Sequence, residues 1–61
     1  MRYNIKIGEY EFSGEVDAQS TLQAVVATMN LMSITVPVLL KQGGRYIGQT
    51  PHGHNVEVEV W

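Results

Sequence analysis

Only one stretch of this chain carries a helical period, and the segments on either side of it alternate. In Ser20–Met32, STLQAVVATMNLM, the apolar residues Leu22, Val25, Val26 and Met29 stand at i, i+3, i+4 and i+7, one stripe of an amphipathic helix. Gln23, Ala27 and Asn30 fall on the far side. Asp17 can cap the start, and Ser20 followed by Gln23 has the spacing of a capping box. A lone helix between alternating segments has one simple way to bury its stripe, which is to lie on a sheet. The expected class is α+β: a hairpin, one helix, then two or three strands, in one mixed sheet covered on one face by the helix.

The first arm specifies its own register. Arg2–Ile7 alternates, with Tyr3, Ile5 and Ile7 on one face, and Tyr10–Val16 alternates again. Gly8-Glu9 between them suits a two-residue type II′ turn. That turn sets Ile7 opposite Tyr10, Ile5 opposite Phe12 and Tyr3 opposite Gly14. On the other face it sets Lys6 opposite Glu11, Asn4 opposite Ser13 and Arg2 opposite Glu15. Each charged pair is of opposite sign, and such pairs contribute roughly 0.2–1 kcal/mol each. A slip by one residue sends Phe12 to the wet face.

The arm after the helix is less determinate. Met32, Ile34, Val36, Val38 and Leu40 alternate with Ser33, Thr35, Pro37, Leu39 and Lys41, as a strand with one apolar face would. Pro37 cannot donate to a ladder, so this is an edge strand or one bent at that point. The alternative is a helix that continues toward Thr35 and a strand that begins after Pro37. Gln42-Gly43-Gly44 is a turn, and Arg45–Gln49 a short strand returning along Val38–Lys41. In Thr50–Asn55, Pro51 and Gly53 occupy i+1 and i+3 of a type I turn. Val56–Trp61 closes the chain with Val56, Val58 and Val60 inward and Glu57 and Glu59 outward.

In order and spacing along the whole chain this layout resembles the β-grasp arrangement of ubiquitin, the small sulfur carriers and immunoglobulin-binding bacterial domains. The resemblance implies first and last strands lying parallel at the centre of the sheet. It implies nothing about activity. The modifiers and carriers act through a terminal Gly-Gly, where this chain has Glu59-Val60-Trp61, and Gly43-Gly44 sits in a turn.

At 61 residues there is room for one domain, residues 1–61, with a thin core. Chains of this size bury only about 60% of their unfolded surface. With no cysteine, neither a disulfide nor a thiolate metal site can reinforce it, which leaves oligomerisation as the natural supplement. The net charge is −2, and the bases Arg2, Lys6, Lys41 and Arg45 form no stripe. A phosphate-neutralising face needs several cations together, so nucleic acid is a weak expectation. Ala18–Leu40 is uncharged and its Leu22–Leu40 part is apolar enough to flag a membrane helix, yet Asn30, Ser33 and Pro37 interrupt it and its period changes near Met32. The start MRYNIKIGEYEF has no apolar signal-peptide core, so a cytoplasmic protein is expected.

Few residues point to chemistry. His52 and His54 flank Gly53 and, with Glu57 or Glu59, offer nitrogen and oxygen donors for a metal or small ligand, although the spacing matches no zinc motif. Ser13, Ser20 and Ser33 have no local base, and the glycines at 43, 44 and 48 precede a strand, so no phosphate loop forms. Neither catalysis nor a cofactor is expected. The outer helix side, Gln23, Ala24, Ala27, Thr28, Asn30 and Leu31, lacks charge, as interface cores do. Tyr46, Ile47 and Trp61, with Arg45 beside them, add a second candidate contact set in which either Tyr46 or Ile47 must point outward. The expected function is a small non-enzymatic protein–protein interaction module, adaptor or inhibitor, forming a homo-oligomer. The alternatives are a metal- or ligand-binding subunit using His52 and His54, and a single-strand nucleic-acid binder using Arg45, Tyr46 and Trp61.

Overall fold

The computed structural model describes residues 1–61. The elements in chain order are β1 (Arg2–Ile7), β2 (Tyr10–Glu15), α1 (Thr21–Met32), β3 (Leu39–Gln42), β4 (Arg45–Gln49) and β5 (Asn55–Val60). They form one five-stranded sheet in the order β2-β1-β5-β4-β3, with α1 packed on β1 and β5. The hairpin register is the one its charges specify, from Arg2 opposite Glu15 to Ile7 opposite Tyr10. Gly8 takes φ +58 at the first turn position, and Glu9 does not share a positive φ, as a type II′ turn requires. The ring of Tyr3 lies over Gly14, where a Cβ would stand 2.8 Å from the Tyr3 hydroxyl.

All four strand pairings are antiparallel. The expected mixed sheet, with first and last strands parallel, is therefore corrected. β1 and β5 are central neighbours but run in opposite directions. The cause is parity. The chain crosses over α1 from one edge, β2, to the other edge, β3, and the two run the same way. Two hairpins then follow, and each reverses direction. A return of only two strands would have brought the last one back parallel to β1, whereas the third strand turns it once more.

Helix α1 begins and ends at identifiable residues. The Ser20 hydroxyl accepts from the Gln23 N–H at 3.2 Å, while the Gln23 side chain reaches back to the N–H of Gln19 at 3.1 Å. At the other end Ser33 adopts the left-handed conformation, φ 57. Its N–H donates to Asn30 O and that of Ile34 to Met29 O, both at 3.1 Å, the Schellman pattern usually built on glycine. The helix stops there rather than continuing toward Thr35. An extended stretch follows, and β3 starts only at Leu39, beyond Pro37.

Two faces are set differently from expectation. The helix rests on Ala24, Val25 and Thr28, all fully buried, with Met29 and Met32 packed alongside. Leu22 and Val26, expected in the stripe, are 62% and 49% exposed. Small residues at the contact let the helix lie close to the sheet, and the Thr28 hydroxyl is satisfied by donating to Ala24 O at 2.7 Å. After α1 the alternation loses a step at Pro37-Val38. Ile34 and Val36 pack on the core, and then Leu39 does so instead of Val38 or Leu40. Val36 crosses directly over Gly48, where a Cβ would meet its Cγ1 at 2.5 Å and Val38 O at 2.6 Å. The core itself is Tyr3, Ile5, Val25, Val56 and Val58, and only seven of 61 residues are buried.

Candidate functional site

The helix covers one face of the sheet and leaves the other open. Side chains directly paired across strands share a face, so the pairings assign the open face. Arg2, Asn4 and Lys6 of β1 lie there with Glu11, Ser13 and Glu15 of β2. Beyond them come Glu57 and Glu59 of β5, Arg45, Ile47 and Gln49 of β4, and Leu40 and Gln42 of β3.

The open face divides in two. Its β2–β1–β5 part is a mesh of paired charges and amides. Arg2 meets Glu15 at 2.9 Å, and the Asn4 amide donates to Glu11 at 2.9 Å. Arg45 reaches across to Glu57 at 2.7 Å and Glu59 at 3.5 Å. The β3–β4 part is apolar. Leu40 stands opposite Ile47, and Pro37, Val38, Leu40 and Ile47 line a shallow recess of about 470 Å³ rimmed by Gln49, Thr50 and Asn55. Val38 and Leu40 are 66% and 62% exposed. Glu57 stands directly opposite Ile47 on this face, and Arg45, two residues along β4, engages both β5 glutamates.

β3 is also an edge. In the hairpin closed by Gly43-Gly44, Gln42 and Leu40 are the residues that bond β4, so the backbone groups of Leu39 and Lys41 point away from the sheet. An unpaired strand beside an exposed apolar patch combines the two features by which sheets recruit another chain.

The residues singled out from sequence do not assemble into one surface. On α1, Gln23, Asn30 and Leu31 are exposed and Ala27 is half-buried, but Ala24 and Thr28 lie fully buried against the sheet and are corrected from surface to core. Arg45 and Tyr46 point to opposite faces, with Tyr46 half-buried against the core. Trp61 is exposed beyond the end of β5, its backbone paired with Arg2 through bonds of 2.8 and 3.0 Å. No aromatic stacking platform of Arg45, Tyr46 and Trp61 forms.

His52 and His54 sit on a tight loop closed by Gly53 N–H to Thr50 O and Thr50 N–H to His54 O, both 2.9 Å. The His54 N–H also donates to Thr50 Oγ1 at 3.1 Å. Both imidazoles border a surface recess of about 350 Å³ with Ile34 and Thr35. Glu57 and Glu59 are turned to the open face and engaged by Arg45, and no group of three or more His, Asp or Glu is placed to hold a metal ion.

Ile47, of the second candidate set, is the member of the Tyr46–Ile47 pair that faces outward, while Val38 and Leu40 are contact residues the sequence reading did not single out, although the break in alternation at Pro37 was a signal for them. No helix is long and apolar enough to cross a membrane, because the uncharged stretch divides between α1 and the extended segment after it. No family model matches this chain, and neither does any curated protein or solved structure.

Proposed function

We propose that this chain is a small non-enzymatic protein–protein interaction module whose contact surface is the β3–β4 end of its sheet. The observation that carries this reading is the uncharged apolar patch of Val38, Leu40 and Ile47 directly beside the unpaired edge of β3. Added strands take main-chain hydrogen bonds from such an edge, and alternate side chains fill the adjoining apolar surface. The thin core gives the same reading a thermodynamic side. A domain that buries seven of 61 residues gains stability from any partner that covers apolar surface in the native state only.

The test compares the wild-type chain with Leu40→Glu, a substitution at an exposed side chain. Self-association is read by sedimentation equilibrium, and binding of other proteins by retention on the immobilised chain. The expected result is at least one specific association that Leu40→Glu removes while the thermal unfolding midpoint stays within a few degrees. An association that Leu40→Glu leaves intact, or none with either chain, overturns the reading.

A further inference from the structure

We infer that the partner at this end of the sheet is a second copy of the chain, joined by antiparallel pairing of β3 with β3 about a two-fold axis through Leu40. This inference rests on the interaction reading above and specifies its occupant.

Outward backbone groups on β3 belong to Leu39 and Lys41. A two-fold antiparallel pairing can therefore oppose Lys41 to Lys41, Leu39 to Leu39, or Leu39 to Lys41. The first sets like charges directly opposite, which is destabilising. The second sets Lys41 against Pro37, which has no N–H to donate. The third opposes no like charges and places Pro37 against Gly43 of the turn, outside the paired strands. It supplies about four main-chain hydrogen bonds, from Leu39 and Lys41 of each copy. It opposes Leu40 to Leu40 and Val38 to Gln42. Leu40 to Leu40 is a non-hydrogen-bonded pair, the kind in which side chains approach most closely. Because Leu40 already faces Ile47 within one copy, this register makes one apolar band across the open face: Ile47, Leu40, Leu40, Ile47. Both helices stay on the same side of the joined sheet.

The other edge offers no such register. Outward groups on β2 belong to Glu11, Ser13 and Glu15, since Tyr10, Phe12 and Gly14 bond β1. Pairing Glu11 with Ser13 opposes Glu9 to Glu15. Pairing Ser13 with itself opposes Glu11 to Glu15, and pairing Ser13 with Glu15 opposes Glu11 to Asp17. Pairing Glu11 or Glu15 with itself opposes identical charges. Every self-register of β2 thus sets acid against acid, either within the strand or between Glu11 or Glu15 and the adjoining Asp17 or turn residue Glu9, while β3 has a register that opposes no like charges. The second copy joins at β3.

Sedimentation equilibrium of the full chain from low micromolar to several hundred micromolar, combined with single cysteines, tests this. A monomer–dimer equilibrium is expected. Lys41→Pro removes an N–H that the monomer does not use, and weakens the dimer about tenfold or more. Ser13→Pro does the equivalent on β2 and leaves the dimer unchanged. Leu40→Lys keeps every backbone donor, opposes two cations at the axis and also weakens the dimer, which covers the case of a misfolded proline variant. In a chain without cysteine, Leu40→Cys forms a cross-linked dimer on mild oxidation, its Cα pair being within disulfide reach. Gln42→Cys does not, because the two thiols stand about 14 Å apart along the strand. A monomer throughout, a dimer indifferent to both Lys41→Pro and Leu40→Lys, or cross-linking as efficient through Gln42→Cys overturns the inference. A monomeric chain that still retains a foreign protein, lost in Leu40→Glu, overturns the dimer and leaves the interaction reading standing.

Discussion

The two halves of this sheet meet different demands with different chemistry. At the β2–β1–β5 end, apolar residues alternate cleanly with charges, the helix covers Tyr3, Ile5, Val56 and Val58, and the open face is closed over by ion pairs and amides. Its edge, β2, carries Glu11 and Glu15 and is followed by Asp17. At the β3–β4 end the helix gives little cover, the alternation is broken at Pro37, and apolar side chains emerge on the open face beside an edge whose only charge is Lys41. Charged edges discourage strand pairing and bare ones permit it. The β2–β1–β5 half leaves Tyr10 and Phe12 exposed along an acidic edge, whereas the β3–β4 half leaves Val38 and Leu40 exposed beside an edge with a single charge.

The largest effect that would break this comparison lies under the helix. Ala24→Glu places a carboxylate at a fully buried site with no cation beside it, an uncompensated charge costing several kcal/mol, enough to leave no folded domain. Ala27→Glu, three residues on at a half-buried position, is expected to cost about 1 kcal/mol or less. Equal stability of the two variants in urea titration would return Ala24 to the surface and reverse the observed rotation of the helix. Next is Gly48→Ala, which tests how tightly the β3–β4 half is held. A methyl group there collides with Val36 Cγ1 and with the Val38 carbonyl, so it forces the 36–38 segment off β4 at a cost of about 1–3 kcal/mol. Gly44→Ala, with open space around it, provides the reference. If both variants melt alike, that segment is loosely seated.

What was legible in the sequence follows the same division. The hairpin register could be derived residue by residue because a two-residue turn and three rows of complementary pairs all demanded one alignment. The helix start was readable for the same reason: Ser20 and Gln23 specify it locally. The rotation of the helix was not readable, because Ala24 and Thr28 count as weakly apolar or polar in any period, and their use as the contact surface comes from close packing against β1 and β5. Leu22 and Val26 are more apolar, yet the rotation that seats Ala24, Val25 and Thr28 on the sheet turns both of them outward. Strand direction was hidden for another reason. It depends on the edge at which the chain lands after crossing the helix, which no residue marks, and the parallel arrangement came from the β-grasp resemblance alone. At the candidate site, Leu40 and Ile47 were readable individually, but their meeting on one face depends on where β3 resumes alternation after Pro37.

A smaller effect tests the junction between the halves. Ser33 is the only non-glycine residue with positive φ, and it sits where the chain leaves the helix for the β3–β4 end. A left-handed conformation costs an L-residue roughly 1 kcal/mol relative to glycine. Its hydroxyl makes no hydrogen bond that would be lost on substitution, since only its N–H is engaged. Ser33→Gly is therefore expected to raise stability by about 0.5–1 kcal/mol, visible as a higher midpoint in thermal melting. An unchanged or lower midpoint would mean that the gain in unfolded-chain entropy from glycine offsets the relieved strain.

The smallest expected difference compares the ion pairs of the two halves. Arg2 and Glu15 are both largely exposed, and a single pair of that kind contributes a few tenths of a kcal/mol at most. Arg45 engages two carboxylates, and Glu57 is the least exposed partner in any of these pairs. It ties β4 to β5, which is how the β3–β4 half is attached to the core. Arg45→Ala should accordingly cost about 0.5–1 kcal/mol, more than Arg2→Ala, and both losses should shrink in high salt. Because Glu57 stands directly opposite Ile47, removing Arg45 leaves an unneutralised carboxylate beside the apolar patch and should weaken the proposed association as well as folding. Arg2→Ala, at the far end of the sheet, should touch folding only. Parallel urea titrations and concentration series on the two variants separate these effects, and equal behaviour would mean that the open face acts as one surface rather than two.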